Sequence, residues 1–149
     1  MASSSTSVIT RARRVNLAKI TRGAVETIPK ITHIAFGDGG LGEDGQPLQP
    51  SELQTELNHE IGRYEIASVD NPPMEGDDPA VDMVASQLAS VIETTNRYTV
   101  TIPENDLNGM NINEMALVDA DGQLAAVKTF LNKGKDEDVK FTFKFDDEF

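Results

Sequence analysis

The 149-residue chain contains no cysteine. That absence excludes disulfide staples, thiolate metal sites and a cysteine nucleophile together. It fits a chain made in bacterial cytosol. No apolar run approaches the roughly 20 residues that a bilayer-spanning helix needs. The apolar core of a secretory signal, about 7 to 15 residues long, is missing from the N-terminus. Basic residues are also scarce: 13 Lys and Arg against 25 Asp and Glu leave a net charge of −12. Nucleic acid binding needs clustered cations to neutralise phosphate, so this balance speaks against it. It favours solubility and makes identical copies repel at long range.

The length is that of one ordinary domain. A chain of this size buries on the order of two-thirds of the surface it exposes when unfolded, which is enough for one core. Charge is distributed unevenly along it. Arg11, Arg13, Arg14, Lys19 and Arg22 precede Val25 with no acid among them, whereas residues 136–149 hold six acids and two lysines. The basic head and acidic tail either meet, within one fold or between subunits, or stand apart as solvated ends. The first 23 residues, Ser- and Arg-rich and free of acid, also have the composition of an organelle transit peptide.

Apolar spacing at Val8, Ile9, Ala12, Val15, Ala18 and Ile20 predicts a helix from about Val8 to Arg22, stopped by Gly23. Its few large apolar groups suit a face docked on something rather than buried centrally. Lys30 to Phe36 reads as a strand running into the glycine-dense Gly37-Asp38-Gly39-Gly40 turn. Ser51 and Gln54 have the form of a capping box, and Leu53, Leu57 and Ile61 recur four apart, which predicts a helix ended by Gly62. Tyr64 to Val69 alternates as a strand, and residues 70–79 form an acidic, proline-rich loop. Residues 80–92 suit a helix or a strand. Strands follow at Arg97 to Ile102 and at Met110 to Val118, where Ile112, Glu114 or Met115, and Leu117 alternate. Asp119-Ala120-Asp121-Gly122 is a hairpin turn, returning as Leu124 to Phe130. Val139, Phe141, Phe143 and Phe145 are spaced by two, with the aromatic face inward and Lys140, Thr142 and Lys144 toward water. The sum is an α+β fold: a mostly antiparallel β-sheet with an N-terminal helix and one or two further short helices. Residues 1–23 are expected to form a basic N-terminal helical segment and 24–149 a single domain.

Motifs of catalysis are not completed. His59-Glu60 begins a zinc-protease helix, but Arg63 stands where the second histidine belongs. Counted as calcium loops from Asp38 or Asp119, the sequence places Gln49 or Phe130 where the closing glutamate is needed. The glycine turn lacks the Gly-Lys-Ser/Thr ending of a phosphate loop, and no Gly-x-Ser-x-Gly elbow occurs. Neither a catalytic residue nor a metal or other cofactor is assigned, and the chain reads as a non-enzyme.

Three blocks together carry a resemblance. The first is Lys30-Ile-Thr-His-Ile-Ala-Phe-Gly-Asp-Gly-Gly40. The second is Leu53-Gln-Thr-Glu-Leu-Asn-His-Glu-Ile-Gly-Arg63. The third is Ile102-Pro103 followed by Gly109-Met-Asn-Ile-Asn-Glu-Met-Ala-Leu-Val-Asp-Ala-Asp-Gly-Gln-Leu124. In this order they resemble the N-terminal, baseplate-attachment domain of phage tail-collar fibre proteins. The chain departs from that pattern at Ala116, where the family usually has glycine, and in its longer stretch between Asp70 and Ala89. Read as fold determinants, the glycines permit special backbone angles, Glu60, Arg63 and Glu114 form polar ties, and Ile112, Leu117 and Leu124 are core.

The resemblance implies a structural protein of a contractile phage tail or tail-like particle, assembled in the bacterial cytoplasm. Baseplate and tail-fibre proteins are the implied partners, and a homotrimer the implied state, without nucleic acid or membrane. A chain ending just after this domain carries no receptor-binding tip, so an adaptor or collar role is expected. The candidate contact residues are Arg11, Arg13, Arg14, Lys19 and Arg22 on the basic helix, and Phe141, Phe143, Phe145 and Phe149 on the acidic C-terminal strand. The competing readings are a monomeric prophage-encoded binding or regulatory module, and a cell-wall hydrolase.

Overall fold

The computed structural model describes residues 5–71, 93–135 and 140–148. In chain order the elements are β1 (Ser5–Ile9), α1 (Arg11–Thr21), β2 (Ile31–Gly37), β3 (Glu60–Glu65), β4 (Ser68–Asp70), β5 (Thr95–Ile102), β6 (Asn111–Asp119), β7 (Leu124–Gly134) and β8 (Phe141–Glu148). They form a five-stranded sheet, β1-β7-β6-β2-β3, and a three-stranded sheet, β4-β5-β8. Every strand pair is antiparallel. Among the described residues α1 is the single helix, so the fold is a β-rich α+β sandwich.

Alternation along β8 puts Phe143 and Phe145 inside and Thr142 and Lys144 outside. On β5, Tyr98, Val100 and Ile102 point the same way. This inner face packs on Ile34 and Phe36 of β2, Met115 and Leu117 of β6, and Phe130 of β7. The rings of Phe36 and Phe143 lie 4.8 Å apart at 56°, an offset tilt that aromatic quadrupoles favour. Burying a side chain such as Phe36, Ile34 or Val100 contributes about 1.5–3 kcal/mol, so this layer dominates the stability.

The back of the large sheet carries a second, thinner core. Ala35, Ala116, Val127 and Val8 stand side by side across four strands, with Leu57, Val118 and Leu124 beside them. From Ile112 to Asp119, β6 is therefore buried on both faces, which explains its run of apolar residues in place of strict alternation. Ala116 sits directly opposite Ala35, where a small residue suits the close packing of the row.

The β6–β7 hairpin turns at Asp119 to Gly122 as expected, with Gly122 at a φ of 80° that only glycine adopts freely. Asp119 Oδ1 accepts the N–H groups of Asp121 and Gln123 and so braces the turn.

Two helix expectations need correction. Val8 and Ile9 belong to β1, paired with Val127 and Ala126, and α1 begins only at Arg11. Thr10 is its N-cap: the buried hydroxyl accepts the Arg13 N–H and donates to the Leu124 carbonyl at 2.6 Å. The helix expected from Ser51 is a turn, followed by β3 from Glu60. Its capping bonds are real, for Ser51 N–H donates to Gln54 Oε1 and Leu53 N–H to Ser51 Oγ. They close one turn and no more. Leu53 is 67% exposed, Leu57 is buried under the back face and Ile61 packs toward the sandwich interior, so the three share no helical face. The strand expected from Tyr64 to Val69 is broken at residues 66–67, its halves serving different sheets as β3 and β4. Residues 80–92, and Val139 and Phe149, lie outside the described residues.

Candidate functional site

The most heavily built polar site joins all three sequence blocks. Glu114, fully buried on β6, accepts three backbone N–H groups through its carboxylate. Gly39 donates at 2.6 Å, Asn58 at 2.7 Å and His59 at 3.1 Å. Hydrogen bonds to an ionised acceptor are the strong ones, and three of them replace much of the hydration lost on burial. The glycine turn is shaped around this carboxylate. A Cβ at Gly37 would lie 2.7 Å from Glu114 Cγ, one at Gly39 2.8 Å from Glu114 Oε2, and one at Gly40 would overlap the Asn113 carbonyl. Gly40 N–H also donates to Asn113 Oδ1 at 2.7 Å. With all three donors backbone amides and glycines closing the space, this carboxylate is a latch holding the loop after β2 onto β6.

Beside the latch, His59 Nδ1 contacts the Asp38 carboxylate. That hydrogen bond, and then the Asp38 charge, raises the His59 pKa above the ordinary histidine value. The imidazole is 69% exposed. Among the described residues, no group of three or more His, Asp or Glu side chains gathers to hold a metal ion. Tyr64, on β3, donates its hydroxyl to Asp106 at 3.0 Å, and burial followed by that bond pushes its pKa up to about 12.

The basic head and the acidic tail meet within the fold. Arg13 on α1 is ion-paired with Asp147 on β8, their side chains 10% and 2% exposed. Burial raises the Asp147 pKa against the opposing pull of Arg13. The Tyr98 hydroxyl feels both partners, and its burial raises its own pKa. One residue earlier, Asp146 takes a two-pronged bond from Arg97, at 2.7 and 2.9 Å across the β5–β8 pair.

The predicted contact residues thus separate. Arg13 is used internally, Arg14 is paired with Glu52 at 2.7 Å in solvent, and Arg11, Lys19 and Arg22 are exposed. Phe143 and Phe145 are buried in the sandwich, while Phe141 is half-buried at its edge. The boundary after residue 23 falls just past α1, while β1 ahead of it is hydrogen-bonded into the sheet of the remainder. Of the polar ties, Glu114 is the latch and Glu60 pairs with Arg63 at 2.9 Å.

A surface absent from the sequence reading lies between β7 and β8. Lys128, Lys133, Lys140 and Lys144 surround a cavity of about 700 Å³ whose walls include Phe130, Phe141 and Phe143. The Lys133 ammonium stands 5.3 Å from the Phe130 ring centre and 5.7 Å from that of Phe143. The two strands belong to different sheets, so no sequence period brings these lysines together.

The chain matches no protein-family model, and no curated protein matches it.

Proposed function

We propose that this chain is a structural, non-catalytic component of a contractile phage tail or phage-tail-like particle. In this reading it joins or decorates the baseplate as a fibre-attachment or adaptor protein, and it assembles as a homotrimer. The supporting observation is the coupling of the resembling blocks. Gly37 to Gly40, the Asn58-His59 backbone and Glu114 form one latch, so the residues that carry the resemblance act together as fold determinants. The buried, fully hydrogen-bonded Glu114 is engaged as a structural acceptor.

The exposed cations of α1 are the contact surface assigned to the baseplate. Arg11, Lys19 and Arg22 stand in solvent on the element that joins β1 to the rest of the fold. The test is a variant with Arg11→Glu, Lys19→Glu and Arg22→Glu, expressed in the source bacterium in place of the native chain. It should fold with an unchanged melting temperature and be depleted from sedimented particles. Incorporation equal to the native level would sink this assignment.

A further inference from the structure

The chain carries 12 more formal negative than positive charges, yet one groove gathers cations. Lys128 and Lys133 come from β7, Lys144 from β8 and Lys140 from the residue just before β8. Within the groove Lys128 is half-buried, while Lys133, Lys140 and Lys144 are exposed. Burial, and then the charge of Lys133, lowers the Lys128 pKa below the ordinary lysine value. Asp146 is the acid that acts on Lys128, and Arg97 already holds both of its oxygens.

The floor is apolar and aromatic, made by Met115, Phe130, Phe141 and Phe143. One side of the groove is a sheet edge. β8 pairs with β5 on one flank and, among the described residues, with no strand on the other. Alternate residues of such an edge point their N–H and C=O groups outward, ready to pair with another strand. The groove runs along the first half of that edge, from Phe141 to Lys144.

We propose that this groove docks an extended acidic segment of a partner protein, added as a strand to the outer edge of β8. Backbone groups of β8 supply the ladder. Carboxylates of the partner that point to the outer face meet Lys140 and Lys144, and its alternate apolar side chains turn to the aromatic floor, which Lys128 and Lys133 flank. Charge complementarity selects the partner: a basic or neutral strand would leave the lysines of the groove uncompensated. The inference rests on the groove alone and stands whether or not the chain belongs to a tail particle.

The test uses the full chain and a short fluorescein-labelled peptide in which glutamate alternates with valine and phenylalanine. Fluorescence anisotropy should show saturable binding that weakens as salt rises. Lys133→Glu, Lys140→Glu and Lys144→Glu combined should weaken it at least about tenfold, with circular dichroism and melting temperature unchanged. Amide hydrogen exchange within residues 141–148 should slow when the peptide binds. Three results would overturn the proposal: an oligothymidine probe binding as tightly as the peptide, unchanged exchange along β8, or a fall in the native oligomer mass caused by the lysine variant. The first would make the groove a general polyanion surface, the second would remove the strand, and the third would make the occupant another copy.

Discussion

Loss of Arg13 is the perturbation with the largest expected effect on stability at a single side chain outside the cores. Arg13 and Asp147 bring α1 and β8 together with side chains 10% and 2% exposed. Arg13→Met removes the guanidinium and leaves the Asp147 carboxylate buried without its counter-charge. Breaking a buried pair by removing one partner costs about 3–5 kcal/mol. For a chain near this length, each kcal/mol moves Tm by about 2–4 °C, so the expected fall is roughly 6–20 °C. Because burial already raises the Asp147 pKa, the orphaned carboxyl should take up a proton readily. The variant should therefore recover part of its loss at acid pH. The sign is that of a group whose folded pKa is raised: its contribution is full below the ordinary carboxylate value and is lost as pH rises through the folded value. Replacing both partners, Arg13→Met with Asp147→Leu, should restore most of the stability, since apolar groups of similar volume avoid the desolvation penalty altogether. The assay is urea and thermal unfolding of the native chain, both single variants and the double variant, at neutral and acid pH. A loss below about 1 kcal/mol for Arg13→Met, the size of an exposed pair, would refute the reasoning. So would additive single losses in the double variant.

Other expectations are smaller or more local. Glu114→Gln should destabilise the fold by about 1–3 kcal/mol, because an amide oxygen cannot serve three buried backbone donors as a carboxylate does. Gly40→Ala should do at least as much harm, since its Cβ meets the fixed Asn113 carbonyl, while Gly45→Asn, in an open turn at φ 77°, should be mild. Both follow from chemical denaturation midpoints. Tyrosinate absorbance at pH 10 should be lower in the folded than in the unfolded chain, because Tyr64 is pushed up to about 12 and Tyr98 is raised as well. The Tyr64 contribution to stability should hold below about pH 10, the free phenol value, and decline between there and about 12. Light scattering across a concentration series should return a stable trimer mass, and a monomer at every concentration would remove the trimer from the account.

Some of this was legible in the sequence because local pattern and final environment agreed. Phe143 and Phe145 alternate with polar residues because β8 has one buried and one wet face. Asp119 to Gly122 carries its turn chemistry in its own residues, and the glycines after β2 announce a backbone that must approach something closely. What they approach, Glu114, lies 75 residues further on and is invisible to any local period. The stretch from Ser51 misled because its capping bonds form in the folded chain while its apolar residues are divided among solvent, the back face and β3. At the N-terminus, Val8 and Ile9 fitted a helical stripe, but pairing with β7 prevailed, and Thr10 was the overlooked cap. The unequal charge of the two ends was plain in composition, whereas their meeting at Arg13 and Asp147 needed the β5–β8 pair and the placement of α1. The lysine groove needed more still, since its walls come from two sheets.

The central claim is the proposed membership of a tail particle, and the most direct measurement is quantitative mass spectrometry of the sedimented particle fraction from cells that express the chain. The account predicts this chain in the particle fraction at a fixed ratio to the baseplate proteins, retained after a salt wash. Recovery of the chain only in the unsedimented fraction, while intact particles pellet without it, would contradict the account.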